Sequence, residues 1–257
     1  MNRAPRSILL VLAVATVLFA PAVWVFWHEE PGPVLLQAAY AGDAPRVESI
    51  LRAHPEVVDY RPLTSADLEH RLPWATGMDN YVWKRKPSST ESLPDLCRLG
   101  YSALHIAVHL NHPDVVDVLL AHHANLDITD LRDRTPLNTA FHQQRPRLQR
   151  ALVNAGANVN VQSYQNMTPL HWSISQLDEP LVQLLLARGA DPNVGNAWGV
   201  TPLMLAAERD QTNLVEALIR QGAKVDAVDD SGRGVLHYAT RSKDARLIER
   251  LKQLGAL

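Results

Sequence analysis

The chain repeats itself every 33 residues, and this periodicity limits its fold more than any other feature. SALHIA begins at Ser102, TPLNTA at Thr135, TPLHWS at Thr168, TPLMLA at Thr201 and GVLHYA at Gly234, a constant step of 33. A unit of that length is one supersecondary element that cannot bury its apolar face alone, so neighbouring units must stack. Two positions before each start stand Gly100, Asp133, Asn166, Gly199 and Gly232. These residue types tolerate the left-handed backbone of a tight turn, so the turn chemistry runs in phase with the motif.

The rest of each unit follows from local physics. Thr135, Thr168 and Thr201 are placed to cap helices that begin at Pro136, Pro169 and Pro202, where the missing N–H of proline costs nothing. Leu104, Leu137, Leu170, Leu203 and Leu236 are expected in the core, and Ala107, Ala140, Ala206 and Ala239 let neighbouring backbones approach. A second helix is predicted from apolar pairs at helical spacing: Val115/Val116 with Leu119/Leu120, Leu181/Val182 with Leu185/Leu186, and Leu214/Val215 with Leu218/Ile219. Gly156, Gly189, Gly222 and Gly255 stand where that helix must end.

Together with the tails RGADPN from Arg188 and NAGANVN from Asn154, this pattern resembles the ankyrin-repeat family. The resemblance implies an all-α solenoid of about six helix-turn-helix units with short β-hairpin turns. The repeat domain covers 32–257, with units at about 32–59, 100–130, 131–162, 163–195, 196–228 and 229–257. In the first, atypical unit the core leucine is Leu35, 69 residues before Leu104, so 36 extra residues lie between units one and two, at about 60–96. Asn111, Gln144, Leu177, Asp210 and Lys243 replace the glycine that the family carries between its helices, and less regular junctions are expected there. In the last unit Arg250 and Lys252 take the places of Ala217 and Ile219, with Arg241, Lys243 and Arg246 nearby, as a polar capping face requires.

Residues 1–30 are of another kind. Ile8 to Trp27 is a run of twenty residues without a charge, about what a helix needs to cross the hydrocarbon core. Arg3 and Arg6 precede it and Glu29 and Glu30 follow, which predicts a signal-anchor with its N-terminus in the cytoplasm and the repeats in the periplasm or another exported compartment. The alternative is a cleaved signal, with Ala20-Pro21-Ala22 as the site. The single Cys97 excludes an internal disulfide and a zinc site built on cysteine pairs.

With 25 Lys plus Arg against 27 Asp plus Glu the net charge is −2, which provides no global field for nucleic acid or an anionic membrane, so any polyanion site would have to be local. The insertion stretch RLPWATGMDNYVWKRKP is locally basic, but from Tyr60 to Leu99 six cations face five carboxylates. Its aromatic residues Trp74, Tyr81 and Trp83 are candidates for a partner contact, for packing over the first repeats, or for contact with lipid headgroups.

No phosphate loop, nucleophile elbow or zinc-protease motif occurs, and no catalytic residue, cofactor or metal is expected. His105 and His109 stand four apart, a ligand spacing, but the motif supplies no carboxylate or thiolate beside them. By resemblance, His105, His171 and His237 bond backbone in the adjoining turn. Cys97 is expected to be a half-buried thiol.

The family binds proteins through a concave face of hairpin tips and first-helix surfaces. Carried over residue by residue, this gives Leu131, Arg132 and Arg134; Tyr164, Gln165 and Met167; Trp198 and Val200; and from the helices His109, Leu110, His142, Gln143, Gln176 and Arg209. Trp, Tyr, Met and Arg are the types enriched at interfaces. The expected function is therefore a non-enzymatic, membrane-tethered module that binds a protein partner. The alternatives are an immunity or inhibitor protein occluding a toxin or enzyme, and a structural scaffold with several weak partners.

Overall fold

A computed structural model of the chain describes residues 30–62, 92–240 and 245–256. The N-terminal segment 1–29, the insertion candidates Trp74, Tyr81 and Trp83, and Arg241 and Lys243 lie outside the described residues. Among those described, no helix is long and apolar enough to cross a membrane, and all regular structure is helical. The chain divides into two compact units at Asn125/Leu126.

In the first unit, α1 (Pro31–Ala41) and α2 (Ala44–Ala53) form the atypical first repeat, α3 (Leu93–Arg98) follows the insertion, and α4 (Ala103–His109) and α5 (Pro113–Ala121) form the next. Helix α1 packs on α4 and α2 packs on α5, so the two repeats stack directly although more than thirty residues separate them in sequence. The side chain of Asp59 fixes this register. Its carboxylate accepts the backbone N–H of Asn125 at 2.7 Å.

The insertion does not end as an irregular loop. Its last residues form α3, which packs on α1 with Leu96 and Cys97 buried, so the boundary near residue 96 falls inside a helix. Gly100, at φ 70, closes α3: its N–H bonds to the Cys97 carbonyl, and the Tyr101 N–H to that of Leu96. A helix C-cap thus occupies the place of a hairpin. Cys97 is 2% exposed rather than half-buried, and burial pushes its thiol pKa up to about 12, far from a reactive thiolate.

The second unit holds four helix pairs: α6 (Pro136–His142) with α7 (Pro146–Ala155), α8 (Pro169–Ser175) with α9 (Glu179–Ala187), α10 (Pro202–Glu208) with α11 (Thr212–Arg220), and α12 (Val235–Ala239) with α13 (Ala245–Gln253). First helices stack in the order α6, α8, α10, α12, and second helices in the order α7, α9, α11. Leu137, Leu170 and Leu203 are at most 1% exposed, while Leu236 in α12 is half-buried. The threonine caps form as expected, with Thr135, Thr168 and Thr201 accepting the N–H of Asn138, His171 and Met204. Arg246, Arg250 and Lys252 on α13 are exposed, the polar outer face that the sequence predicts. A ladder of polar side chains ties successive repeats: Asp127 accepts from the N–H of Asn158, Asn160 from Asp191 and Asn193 from Lys224, at 2.8–2.9 Å.

Two expectations are corrected. The residues replacing glycine between the helices do not disturb the junctions: Asn111, Gln144, Leu177 and Asp210 all take the left-handed conformation, with φ from 52 to 61. In each, the turn N–H bonds back to a first-helix carbonyl: Asn111 to Val108, Gln144 to Phe141, Leu177 to Ile174 and Asp210 to Ala207. The expected β-hairpins are hairpin turns without strands among the described residues, the one bridge being Val228 with Gly234. Each is closed by short-range backbone bonds, such as Asp130 N–H to the Arg134 carbonyl at 2.9 Å and Asn196 N–H to that of Val200 at 3.0 Å, too few to make a ladder.

Candidate partner-binding surface

Within the second unit the hairpins before α6, α8, α10 and α12 each begin with a short polar side chain: Asp130, Ser163, Asn196 and Asp229. Such residues bond the backbone two to four positions on and fold the turn themselves. Asp130 Oδ1 accepts the N–H of Arg132 at 2.8 Å and of Arg134 at 2.9 Å, and Oδ2 accepts Nε of Arg134 at 2.8 Å. Asp229 does the same with Ser231, Arg233 and the Arg233 guanidinium, and also accepts the Tyr238 hydroxyl at 2.5 Å.

Burial works against charge on Asp229, but the donated bonds from Tyr238, Arg233 and Ser231 outweigh it and hold the carboxyl well below the usual carboxylate range. Burial and the same carboxylate push the Tyr238 phenol up to about 12.

Asn196 folds its turn without charge, its Oδ1 accepting the N–H of Trp198 at 3.0 Å and of Val200 at 3.1 Å. The Ser163 hairpin differs. Serine is shorter, so its hydroxyl donates to the Met167 carbonyl at 3.0 Å and accepts Nε1 of Trp172 at 3.0 Å, and two successive residues become left-handed, Gln165 at φ 60 and Asn166 at φ 55. Adjacent hairpins are then locked together. The Ala197 N–H donates to the Gln165 carbonyl at 2.8 Å, and the Asp230 N–H to that of Trp198 at 3.1 Å.

His171 anchors the third of these hairpins. Its Nε2 lies 3.0 Å from the Val200 carbonyl and its Nδ1 lies 2.8 Å from the Thr168 hydroxyl. A carbonyl only accepts, so Nε2 carries the proton and Nδ1 accepts from the threonine. Burial lowers the pKa of His171, with the Val200 bond acting in the opposite sense. His105 repeats the contact with the capping hydroxyl, 3.0 Å from that of Ser102. His237 does not follow: Gly234 offers no hydroxyl where the other units have Ser or Thr, and the ring is exposed, edge-on to Tyr238.

Of the predicted contact residues, Leu131 (50%), Tyr164 (74%) and Trp198 (50%) are the large apolar side chains most open to solvent at the hairpins. Arg132, Gln165, His142 and Arg209 are exposed, and Met167, Val200, Leu110, Gln143 and Gln176 are half-buried. Arg134 is 14% exposed in its side chain and is ion-paired with Asp130 at 2.7 Å. His109 is 7% exposed and packs edge-on against Tyr101 at 5.7 Å. Val228, 48% exposed, joins the hairpin set and was not predicted. Among the described residues, no group of three or more His, Cys, Asp or Glu is placed to hold a metal ion.

Stacked helix pairs joined by turn-folded hairpins define a repeat scaffold. The family model described as ankyrin repeats (3 copies) matches residues 104–196 and again 170–256, more than half of the chain, and the chain belongs to the ankyrin-repeat family. Proteins of this family are interaction modules that bind protein partners. A comparison with curated proteins found no match.

Proposed function

We propose that this protein is a non-enzymatic interaction module, held at a membrane by its N-terminal segment with the repeats in an exported compartment such as the periplasm. It binds one protein partner through the exposed hairpin tips and first-helix surfaces of the second unit. The observation that carries the binding surface is the pair Tyr164 and Trp198, large amphipathic side chains at 74% and 50% exposure on hairpins that are themselves locked in place. Rigid exposed aromatics are the residues on which interface energy concentrates.

The membrane attachment rests on the uncharged run Ile8 to Trp27. Reporter fusions after Glu30 test it: activity of an export-dependent reporter is expected, and activity of only the cytoplasmic reporter overturns it. Capture of the partner from membranes of the native organism tests the surface, with loss expected in the Tyr164→Ala, Trp198→Ala double variant. Equal capture would remove these hairpins from the contact. The insertion, through Trp74, Tyr81 and Trp83, is proposed as an accessory contact. Deleting residues 64–90, which spares α3, weakens capture on this reading.

A further inference from the structure

Buried polar groups are spread unevenly over the helix pairs of the second unit. In α6–α7, Gln149 is 0% exposed and Thr139 1%. The amide Nε2 of Gln149 donates to the Ala140 carbonyl at 3.2 Å, but its Oε1 and the Thr139 hydroxyl have no partner among the described residues. At the place of Gln149 the repeat before has Val116 and the next two have Val182 and Val215, all fully buried. At the place of Thr139 they have Ile106, Trp172 and Leu205. This polar core therefore belongs to one repeat, at positions that are apolar in its neighbours.

The buried polar groups of α8 are satisfied. The Ser173 hydroxyl donates to the Pro169 carbonyl at 2.8 Å, and both ring nitrogens of His171 are engaged. Gln176 Nε2 and Gln211 Oε1 also lack a partner, but they belong to half-buried residues just after α8 and just before α11, where a side-chain rotation reaches water. Gln149 sits in the middle of α7. A buried donor or acceptor left unpaired loses its hydration without replacement. The stacking is also sparser here: α6 packs less extensively on α8 than α8 does on α10 or α10 on α12.

In a repeat array each unit is held by its own packing and by its nearest neighbours, so a costly core in one unit is felt there first. We infer that α6–α7 is the weak link of the second unit, a helix pair that opens by local unfolding while α8–α9 and α10–α11 stay folded. Opening returns Gln149 and Thr139 to water, a gain that the valines of the other pairs do not have. It also releases the Gln162 carbonyl, which Asn138 Nδ2 of α6 holds at 3.0 Å. The segment that enters the 163–167 hairpin loosens with the pair. The hairpin keeps its hold on α8 and on the next hairpin, through Trp172 Nε1 to the Ser163 hydroxyl and the Ala197 N–H to the Gln165 carbonyl. Opening thus frees it on one side only.

Amide hydrogen exchange of the full chain in detergent tests this. Protection of the slowest amides in α6–α7 is expected to lie on the order of tenfold below that in α8–α9 and α10–α11. Gln149→Val restores the residue type of the other repeats and is expected to raise protection in α6–α7 by a similar factor. Val182→Gln moves the polar core one repeat on and is expected to lower protection in α8–α9.

Equal or greater protection of α6–α7 in the native chain overturns the inference. Protection there that Gln149→Val leaves unchanged or lowers also overturns it, because the weakness then has another origin. A folded Val182→Gln chain with unchanged protection in α8–α9 overturns it too. Where Val182→Gln prevents folding, the native chain and Gln149→Val decide by themselves.

Discussion

The hairpins at 130–134 and 229–233 commit charged groups to their own turns, and those at 163–167 and 196–200 fold with neutral ones. In the first pair a buried aspartate collects two backbone N–H groups and a guanidinium, so Arg134 and Arg233 are committed to holding the turn. In the second pair a neutral Ser163 or Asn196 folds the turn, and the side chains at the tip remain unused. On the function proposed above, the same repeat position serves stability in one place and recognition in another.

This contrast can be broken most severely at Asp130, whose side chain is fully buried. Asp130→Ala removes the carboxylate that accepts from Arg134 and from two backbone N–H groups and is expected to cost about 3 kcal/mol, as breaking a buried pair does. Chemical denaturation measures it, and a loss below about 1 kcal/mol would mean the hairpin re-forms without its staple.

The Asp229 hairpin carries a pH signature. Its carboxyl pKa is depressed in the folded state, so the group contributes stability that is complete above the ordinary carboxylate range near pH 4 and is lost as pH falls through the folded value. Tyr238, raised to about 12, contributes below about pH 10 and loses its contribution as pH rises through the folded value. The melting-temperature gap between the native chain and Asp229→Asn should therefore shrink below about pH 4. A gap that is constant with pH would contradict the assignment.

A gain is expected at Leu177, left-handed at φ 59 and 62% exposed. Leu177→Gly removes a strain of about 1 kcal/mol and an exposed apolar side chain, so the midpoint of unfolding is expected to rise; a fall would show that the leucine makes a contact that outweighs the strain. The smallest effects belong to the uncharged hairpins: Trp198→Ala and Tyr164→Ala are expected to change stability by less than about 0.5 kcal/mol. A large loss in either would show that the ring packs for the fold rather than for a partner.

Much of the scaffold was legible because stacking repeats one residue type in one place. Leu137, Leu170 and Leu203 are buried where a period of 33 put them, and Gly100, Asp133, Asn166, Gly199 and Gly232 all have positive φ. The hairpin staple was missed although its signal was present. Asp130, Ser163, Asn196 and Asp229 recur at the same period, but their spacing alone does not show which groups they bond. Arg134 consequently looked like a contact residue, and only three-dimensional pairing reveals its engagement with Asp130. His109 looked exposed by register, and it is the neighbouring Tyr101, stacked also on His105 at 5.2 Å, that covers it. The fold of 93–98 was hidden by the prolines and the irregular composition of the insertion around it.

The central claim is that recognition concentrates on the uncharged hairpins. Amide hydrogen exchange of the chain, alone and with its captured partner, tests that claim most directly. Slowed exchange is predicted at residues 163–167 and 196–200, with little change at 130–134 and 229–233. Protection confined to the charged hairpins or to the second helices α7, α9 and α11 would contradict the account.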